Sequence, residues 1–229
     1  MSRLSDSLPN FPDLPSDPES VSRRAEVRAK RDAENAEHER RMAAQQRASR
    51  WAEAKGSLPA RHVAELARGL EWPEKAAPKA MAVRQRIVER GCACLLGPSG
   101  TGKTQMATEA ARAFVESGGG GVAFFGLFLL LQTIKASAYD DHEKSPLDRF
   151  VRVGLLIIDE IHEQRMSNDD ALWFTTLFNA RYEAMRPIIL IGNTNPQEMP
   201  KIVGPSVWSR MEETGVIVVC DWPSFRRRG

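Results

Sequence analysis

The feature that most constrains the fold is a glycine-rich segment that lies between an apolar stretch and a helix pattern. Residues 97–104 read GPSGTGKT and fit the phosphate-loop pattern G-x-x-x-x-G-K-[ST] at every position. The preceding residues Cys92–Leu96 are apolar and predict a strand, and Lys103–Glu116 have the spacing of a helix. Because this pattern binds phosphate in a strand–loop–helix context, we expect the segment to hold the phosphates of a nucleotide.

Each residue type in this loop has a chemical reason to be there. Glycines allow positive φ and let backbone N–H groups converge on an anion, and the first turn of the following helix adds more N–H groups. Lys103 is expected to direct its charge to the β- and γ-phosphates, and the Thr104 hydroxyl to coordinate Mg²⁺. The predicted nucleotide-binding residues are Gly97, Pro98, Ser99, Gly100, Thr101, Gly102, Lys103 and Thr104. The loop alone does not distinguish an ATPase from a GTPase or a nucleotide kinase.

A second motif, LLIIDE at residues 155–160, narrows the chemistry. Four apolar residues predict a buried strand, and the carboxyl end of such a strand faces the ligand crevice of an open α/β sheet. Asp159 is expected to reach Mg²⁺, directly or through water, so that Thr104 and Asp159 are the predicted metal ligands. Glu160 is expected to polarise the water that attacks the γ-phosphate. Two adjacent acids favour hydrolysis, because a small-molecule kinase does not need the second one.

The region around these motifs alternates between apolar strands and helix patterns. Short apolar strands separated by helices indicate a parallel sheet that is covered on both faces, which is an α/β fold. The predicted strands are residues 92–96, 122–125, 155–158, 188–191 and 216–220. The predicted helices are residues 103–116, 128–138, 171–184 and 207–212.

Composition divides the chain into four zones. Residues 1–20 carry four prolines among Ser and Asp, which predicts a disordered tail. Residues 21–55 lack Gly and Pro and have few apolar side chains, so they predict a charged helical arm that is either a solvated spacer or a docking segment for a partner. Residues 56–85 are broken by prolines and predict a linker or transition, and residues 86–229 predict the compact nucleotide-binding domain.

Overall composition excludes several other classes of protein. The formal net charge of +2 does not by itself indicate a nucleic-acid-binding protein. Cys92, Cys94 and Cys220 are too few for a disulfide scaffold and predict reduced thiols. The sequence has no apolar run of about 18 residues and no signal-peptide pattern at its start, so we expect a cytoplasmic protein with no membrane contact.

Taken together, these motifs resemble the AAA+ ATPases, and within them the DnaC-type helicase loaders and the IstB-type transposition ATPases. The resemblance covers roughly residues 90–226 and is carried by GPSGTGKTQMATEAARAF, LLIIDEI, FNARYEAMRPIILIGNTNPQEM and GPSVWSRMEETGVIVVCDWPSFR. The last segment is more similar to the loader branch. The resemblance implies a P-loop core with a five-stranded parallel sheet, a helical N-terminal extension and no C-terminal lid, since only 19 residues follow Arg210.

The resemblance also assigns roles to residues outside the two motifs. Asn195 best matches the polar residue called sensor 1, with Asn193 as the second choice. Arg210 matches the arginine finger, which acts on ATP held by a neighbouring subunit, while Arg181 is interpreted as a structural or interface arginine. The helix near residues 128–138 falls where loaders line single-stranded DNA, and Lys135 is a weak candidate for that contact.

The function that the resemblance implies is ATP hydrolysis by a helicase loader. Such a protein requires ATP and Mg²⁺, docks through its N-terminal arm on a DnaB-like replicative DNA helicase and assembles into a ring or spiral. It then places the helicase on single-stranded DNA. The alternative is an IstB-like ATPase that binds duplex DNA and recruits a transposase. Two further alternatives are a nucleotide-binding switch that hardly hydrolyses ATP and a small-molecule kinase.

Overall fold

The computed structural model describes residues 18–69, 71–138, 146–161 and 166–225 and divides the chain into two units, residues 1–46 and residues 47–229. The described part of the first unit lies within helix α1 (Pro18–Ala54), and its side chains at residues 19 and 21–46 are exposed. The helix begins three residues before the predicted start of the arm, while residues 1–17 of the predicted tail lie outside the described residues. Residues 21–46 of this helix are rich in strong helix formers and have few apolar side chains, which explains why this part is helical yet buries no core.

The second unit contains the predicted five-stranded parallel sheet, which is confirmed. The strands are β1 (Cys92–Leu96), β2 (Val122–Gly126), β3 (Leu155–Ile161), β4 (Ile188–Gly192) and β5 (Gly215–Val219). Their spatial order is β2-β3-β4-β1-β5, and every neighbouring pair is parallel. Because β4 lies between β1 and β3, the carboxyl ends of these three strands meet at one edge of the sheet.

Helices cover both faces of the sheet. Those of the second unit are α2 (Ala60–Ala67), α3 (Ala77–Val88), α4 (Lys103–Glu116), α5 (Leu127–Ala138), α6 (Asp148–Arg152), α7 (Asn168–Glu183), α8 (Met199–Val203) and α9 (Pro205–Thr214). A 3₁₀ turn, Lys55–Ser57, follows α1. No helix in the described ranges is both long and apolar enough to cross a membrane.

The two faces of the sheet form two separate hydrophobic clusters. Along β1 the side chains alternate, so that Ala93 and Leu95 join one cluster with α3 and α4, while Cys94 and Leu96 join the other with α5, α7 and α9. This alternation follows from the two-residue period of a strand. All three thiols are free and buried. Burial raises the pKa of Cys94 far above its usual range, so this thiol stays protonated.

The residues predicted as a linker or transition, 56–85, lie within the second unit. Residues 47–229 form one compact unit, and Ala80, Val83 and Ile87 of α3 are buried in the cluster that contains the α4 side chains. Pro78 suggested a break, but it lies at the start of α3, where the missing N–H has no partner to lose. The prolines therefore mark a helix start, and α2 and α3 belong to the nucleotide-binding unit.

Candidate functional site

The glycines of residues 97–104 adopt conformations that favour glycine. Gly97, Gly100 and Gly102 have φ values of 134°, 85° and 86°. A Cβ atom at Gly97 would lie 2.5 Å from the backbone oxygen of Cys220, and one at Gly102 would lie 2.9 Å from the ring of Trp72. Other residues are excluded here both by backbone strain and by lack of space. The result is a tight loop that leads from β1 into the N-terminus of α4.

Lys103 lies inside the loop and is almost fully buried, with 6% of its surface exposed. Its Nζ donates hydrogen bonds to the backbone oxygens of Gly97 at 2.6 Å and Pro98 at 2.7 Å. The buried Thr101 donates its Oγ1 hydrogen to the same Pro98 oxygen at 2.9 Å. The ammonium group is therefore held where the loop would enclose a phosphate, as the sequence pattern requires.

The two predicted metal ligands meet directly. Thr104 Oγ1 donates to Asp159 Oδ2 at 3.0 Å, although 55 residues separate them in the chain. The other carboxylate oxygen, Asp159 Oδ1, accepts the N–H of Glu160 at 2.7 Å. A hydroxyl beside a carboxylate is an all-oxygen ligand pair of the kind that Mg²⁺ takes together with phosphate oxygens. The donor set thus fits the metal that the motifs predict.

Glu160 lies in a distortion of β3. It has a φ of 63°, and the pairing of β3 with β4 shifts between Ile158 and Ile161. Its side chain is exposed and runs beside Gly126, where a Cβ atom would lie 2.9 Å from Glu160 Oε2. The carboxylate is therefore open to water at the carboxyl ends of the strands, which is where a group that activates water must be.

These residues line one cavity of about 710 Å³, a size typical of small-molecule sites. The predicted residues that line it are Ser99, Gly100, Gly102, Lys103, Thr104, Asp159, Glu160 and Asn193. The lining residues that the sequence reasoning missed are Arg61, His62, Glu65, Glu71, Trp72, Pro73, Gln105 and Phe225. Most of these precede or follow the motif-bearing region, so only the helical spacing of residues 59–70 hinted at them.

Contacts hold the missed residues against the phosphate loop and α4. His62 Nδ1 lies 2.7 Å from Gln105 Oε1, and Gln105 Nε2 donates to the backbone oxygen of His62 at 3.1 Å. Trp72 Nε1 donates to Glu109 Oε2 at 2.6 Å. Helix α2 and the segment before α3 therefore form the outer wall of the cavity.

The two asparagines after β4 have different surroundings. Asn193 directly follows the strand and lines the cavity. Asn195 Oδ1 accepts the N–H of Glu198 at 3.0 Å, which stabilises the turn that leads into α8. The structure brings Asn193, the second choice from the sequence, to the site, and it gives Asn195 a local turn contact instead.

Arg210 lies on α9 and is not among the residues that line the cavity of its own chain. Its Nη1 donates to Asn179 Oδ1, and its guanidinium lies 5.0 Å from the centre of the Tyr182 ring. These contacts hold the arginine half-buried against α7. Its position is compatible with action on another subunit, which is the role that the resemblance assigned.

Arg181 has a structural environment. Its side chain is fully buried and donates to five backbone oxygens, those of Phe150, Val151, Val153, Gly154 and Pro187. Burial lowers the pKa of Arg181 to about 9, which still leaves the guanidinium charged at neutral pH. Of the two roles that the sequence left open, its contacts correspond to the structural one.

Lys135, the weak candidate for DNA contact, forms ion pairs at the start of α7. Its Nζ lies 2.6 Å from Asp170 Oδ1 and 3.0 Å from Asp169 Oδ2, and these hydrogen bonds raise the pKa of the lysine. Asp170 also completes the cap of α7 with Ser167. The cation is thus already engaged with two carboxylates.

Two solved structures with the same fold are those of DnaC, which is described as a helicase loader, and of DnaI. The crystal structure of the DnaC helicase loader aligns with a TM-score of 0.59 and 18% identity, covering 66% of this chain and 93% of that one. The crystal structure of DnaI aligns with a TM-score of 0.56 and 16% identity, covering 69% and 89%. At these identities the match shows the fold alone.

Curated relatives come from two functional groups. The replicative helicase loader DnaC of Escherichia coli K12 is 32% identical over 87 residues, which is 38% of this chain and 36% of the relative. The ATP-binding protein of insertion sequence IS232 from Bacillus thuringiensis subsp. berliner is 37% identical over 100 residues, which is 44% of this chain and 39% of the relative. The ATP-binding protein of insertion sequence IS21 from Pseudomonas aeruginosa is 32% identical over 113 residues, which is 49% of this chain and 42% of the relative. The chain thus spans less than half the length of each of these relatives.

Family membership rests on a match that covers most of the chain. The model of the family described as IstB-like ATP binding protein matches residues 21–206. That range contains the phosphate loop, the two acids of β3 and Asn193, and the match confirms the predicted resemblance. The chain therefore belongs to the IstB-like ATP-binding proteins.

Proposed function

We propose that the protein hydrolyses ATP with Mg²⁺ and that assembly stimulates this reaction. The observation that carries the proposal is the convergence of Lys103, Thr104, Asp159 and Glu160 on one cavity, with a direct hydrogen bond between the threonine and the aspartate. Membership in an ATP-binding family makes ATP the substrate that this cavity fits best. The exposed Glu160 distinguishes hydrolysis from simple nucleotide binding, since a carboxylate open to water serves a reaction with water.

Each residue of the cavity has its own part in the proposed reaction. The backbone N–H groups of residues 99–104 and the Lys103 ammonium bind the phosphates, and their positive charge stabilises negative charge on the oxygens. A magnesium ion held by Thr104 and Asp159 would neutralise charge on the β- and γ-phosphates. Glu160 accepts a proton from the water whose oxygen bonds to the γ-phosphorus. The bond from that phosphorus to the β–γ bridging oxygen breaks, and ADP leaves.

Asn193 is the residue that we assign to orient the attacking water. It follows β4, which pairs with β3, and it lines the same cavity as Glu160. An amide there can donate to a γ-phosphate oxygen and accept from water. Asn195, the first choice from the sequence, uses its amide oxygen in a local turn.

Arg210 is the residue that we assign to act between subunits. It lies outside the cavity of its own chain, on α9. A guanidinium supplied by a neighbouring copy would make hydrolysis depend on assembly, and such a residue contributes about 10³–10⁵ in rate in related phosphoryl-transfer sites.

The substitution of Glu160 by glutamine tests hydrolysis. We expect Glu160→Gln to bind ATP as the unchanged protein does and to lower turnover at least about a hundredfold, because the amide cannot accept the proton. The control is Glu183→Gln, the same change at an exposed position at the end of α7. Turnover that is equal in both variants would instead support the nucleotide-binding switch.

At the level of the cell, we assign the protein to helicase loading. The support is the 32% identity to DnaC over 87 residues, together with an exposed charged helix at residues 19–46 that needs a partner to bury any surface. This arm would dock on a DnaB-like replicative helicase, and the assembled ATPase units would hold single-stranded DNA. The test is co-purification with the replicative helicase of the same cell, with and without residues 1–46. Helicase binding that survives the deletion would refute docking through the arm.

The IS232 and IS21 relatives support a second role, as an ATPase that assists transposition. In that role the protein would bind duplex DNA and recruit a transposase. Binding to a duplex and to a single strand of the same sequence, measured with ATP at one salt concentration, separates the two roles. A preference for the duplex together with capture of a transposase would favour transposition.

A further inference from the structure

The phosphate loop has backbone oxygens that need donors from elsewhere in the protein. When successive N–H groups turn inward to bind an anion, the carbonyl groups between them point outward and must find partners if they are buried. Lys103 supplies donors to the oxygens of Gly97 and Pro98. The oxygens of Gly100 and Thr101 receive their donors from the chain after β5.

Trp222 is the side chain that bonds to the loop. Its Nε1 donates to the backbone oxygen of Thr101 at 3.0 Å, and the contact is buried. The indole is 6% exposed and belongs to the hydrophobic cluster on the α3 and α4 face of the sheet. The sequence reasoning gave Trp222 no part in the chemistry, yet it contacts the loop between Gly100 and Gly102.

Backbone groups of the same segment, residues 220–225, make two further contacts. The N–H of Phe225 donates to the Gly100 oxygen at 2.8 Å, and the N–H of Cys220 donates to the Leu96 oxygen at 2.7 Å. The ring of Phe225 lies beside Gly102, where an added Cβ would be 3.0 Å away. The segment therefore contacts the end of β1 and both sides of the loop's central turn.

Lys79 on α3 holds this segment in place from the other side. Its Nζ donates to the Val219 oxygen at 2.6 Å and lies 3.3 Å from Asp221 Oδ1. It also lies 5.0 Å from the centre of the Trp222 ring, within the range of a cation–π contact. Trp222 is thus fixed between a lysine on α3 and the phosphate loop.

We infer that Trp222 is a positioning residue for the phosphate loop. By fixing the Thr101 carbonyl group outward, it keeps the neighbouring N–H groups turned toward the phosphates before ATP arrives. The inference rests on the proposed function, because it concerns the same nucleotide site. It gives the segment after β5 a task in ATP binding that the two sequence motifs do not contain.

The test compares two tryptophan variants of the full chain, Trp222→Phe and Trp208→Phe. Trp208 is a matched control because it is 7% exposed against 6% and belongs to the cluster on the other face of the sheet. We expect Trp222→Phe to raise the Kd and the KM for ATP about three- to tenfold, the value of one buried hydrogen bond, with kcat within about twofold. Trp208→Phe should lose a similar amount of stability, measured by unfolding in urea. It should leave the Kd and the KM for ATP unchanged.

The outcomes separate this inference from the proposed function. Wild-type protein that binds no ATP by calorimetry overturns both. Wild-type protein that binds ATP, with equal Kd values for the two variants, overturns only the positioning role.

If Trp222→Phe does not fold, the Lys79→Gln variant takes its place, with Arg84→Gln on the exposed side of the same helix as its control. We expect Lys79→Gln to raise the KM for ATP about two- to threefold, since it loosens the indole without removing the hydrogen bond to the loop. An unchanged KM in that variant would refute the inference.

Discussion

Replacement of Arg181 by methionine should destabilise the protein without acting on ATP directly. The guanidinium is fully buried and donates to five backbone oxygens at the joints between α6 and β3 and between α7 and β4. Methionine is shorter but has a similar volume, and it has no donor. The buried oxygens of Phe150 and Pro187 would lose this donor, and an oxygen without another donor would add the cost of an unpaired polar group.

The expected loss follows from the two shortest contacts. The bonds to the oxygens of Phe150 and Pro187 are both 2.6 Å long and buried. A hydrogen bond to a charged group contributes about 1.5–3 kcal/mol, so two of them give about 3–6 kcal/mol. Removing a buried charge recovers part of its desolvation cost, and we expect a net loss of about 3–5 kcal/mol in the free energy of unfolding. That is a large fraction of the roughly 5–15 kcal/mol that stabilises a typical domain.

Urea unfolding followed by circular dichroism measures this loss, and Arg186→Met is the control. Arg186 is half-buried and bonds to the Arg152 backbone oxygen, so its removal should cost about 1 kcal/mol or less. The KM for ATP of folded Arg181→Met should equal that of the unchanged protein. A loss below about 1 kcal/mol, combined with a collapse of assembly-stimulated hydrolysis, would refute the structural role and make Arg181 an interface residue.

Three further predictions test the site. Arg210→Ala should retain ATP affinity but lose assembly-stimulated hydrolysis. Mixing it with Lys103→Ala protein should restore activity, because one variant supplies the ATP-binding site and the other supplies the arginine. A mixture that stays inactive contradicts action between subunits. Asn193→Ala should lower kcat about ten- to a hundredfold and Asn195→Ala about twofold or less in a steady-state assay, and the reverse order would return the role to Asn195. Gly102→Ala should weaken ATP binding about tenfold by calorimetry, since φ is 86° and two aromatic rings leave no room for a Cβ; unchanged binding would mean that the loop adapts.

The sequence predicted the elements around the phosphate loop better than the segments that precede and follow the sheet. The bounds of β1 and α4 were predicted to the residue, because an apolar strand, a glycine loop and a helix start are local signals. The assignment of sensor 1 to Asn195 stays a prediction, because sequence similarity does not show which amide faces the cavity and which stabilises a turn.

The outer wall of the site could not be predicted for a different reason. Trp72 and Phe225 approach Gly102 from segments that precede and follow it by 30 and 123 positions in the numbering, and no periodic pattern links them. Such contacts depend on how α3 and the chain after β5 pack on the sheet. The prolines at residues 73 and 78 even suggested a linker where the structure has the start of a helix.

The distortion of β3 explains how two adjacent acids reach one cavity. In a regular strand successive side chains point to opposite faces, so Asp159 and Glu160 would diverge. Here Ile158 pairs with Leu190 and Ile161 pairs with Gly192. Between these two pairs the chain advances by three residues on β3 but by only two on β4. The extra residue is a bulge, and the positive φ of Glu160 turns its carboxylate toward the cavity, while Asp159 stays beside Thr104. A strained backbone at a non-glycine residue costs about 1–3 kcal/mol, and at Glu160 it separates the proposed metal ligand Asp159 from the proposed group that activates water.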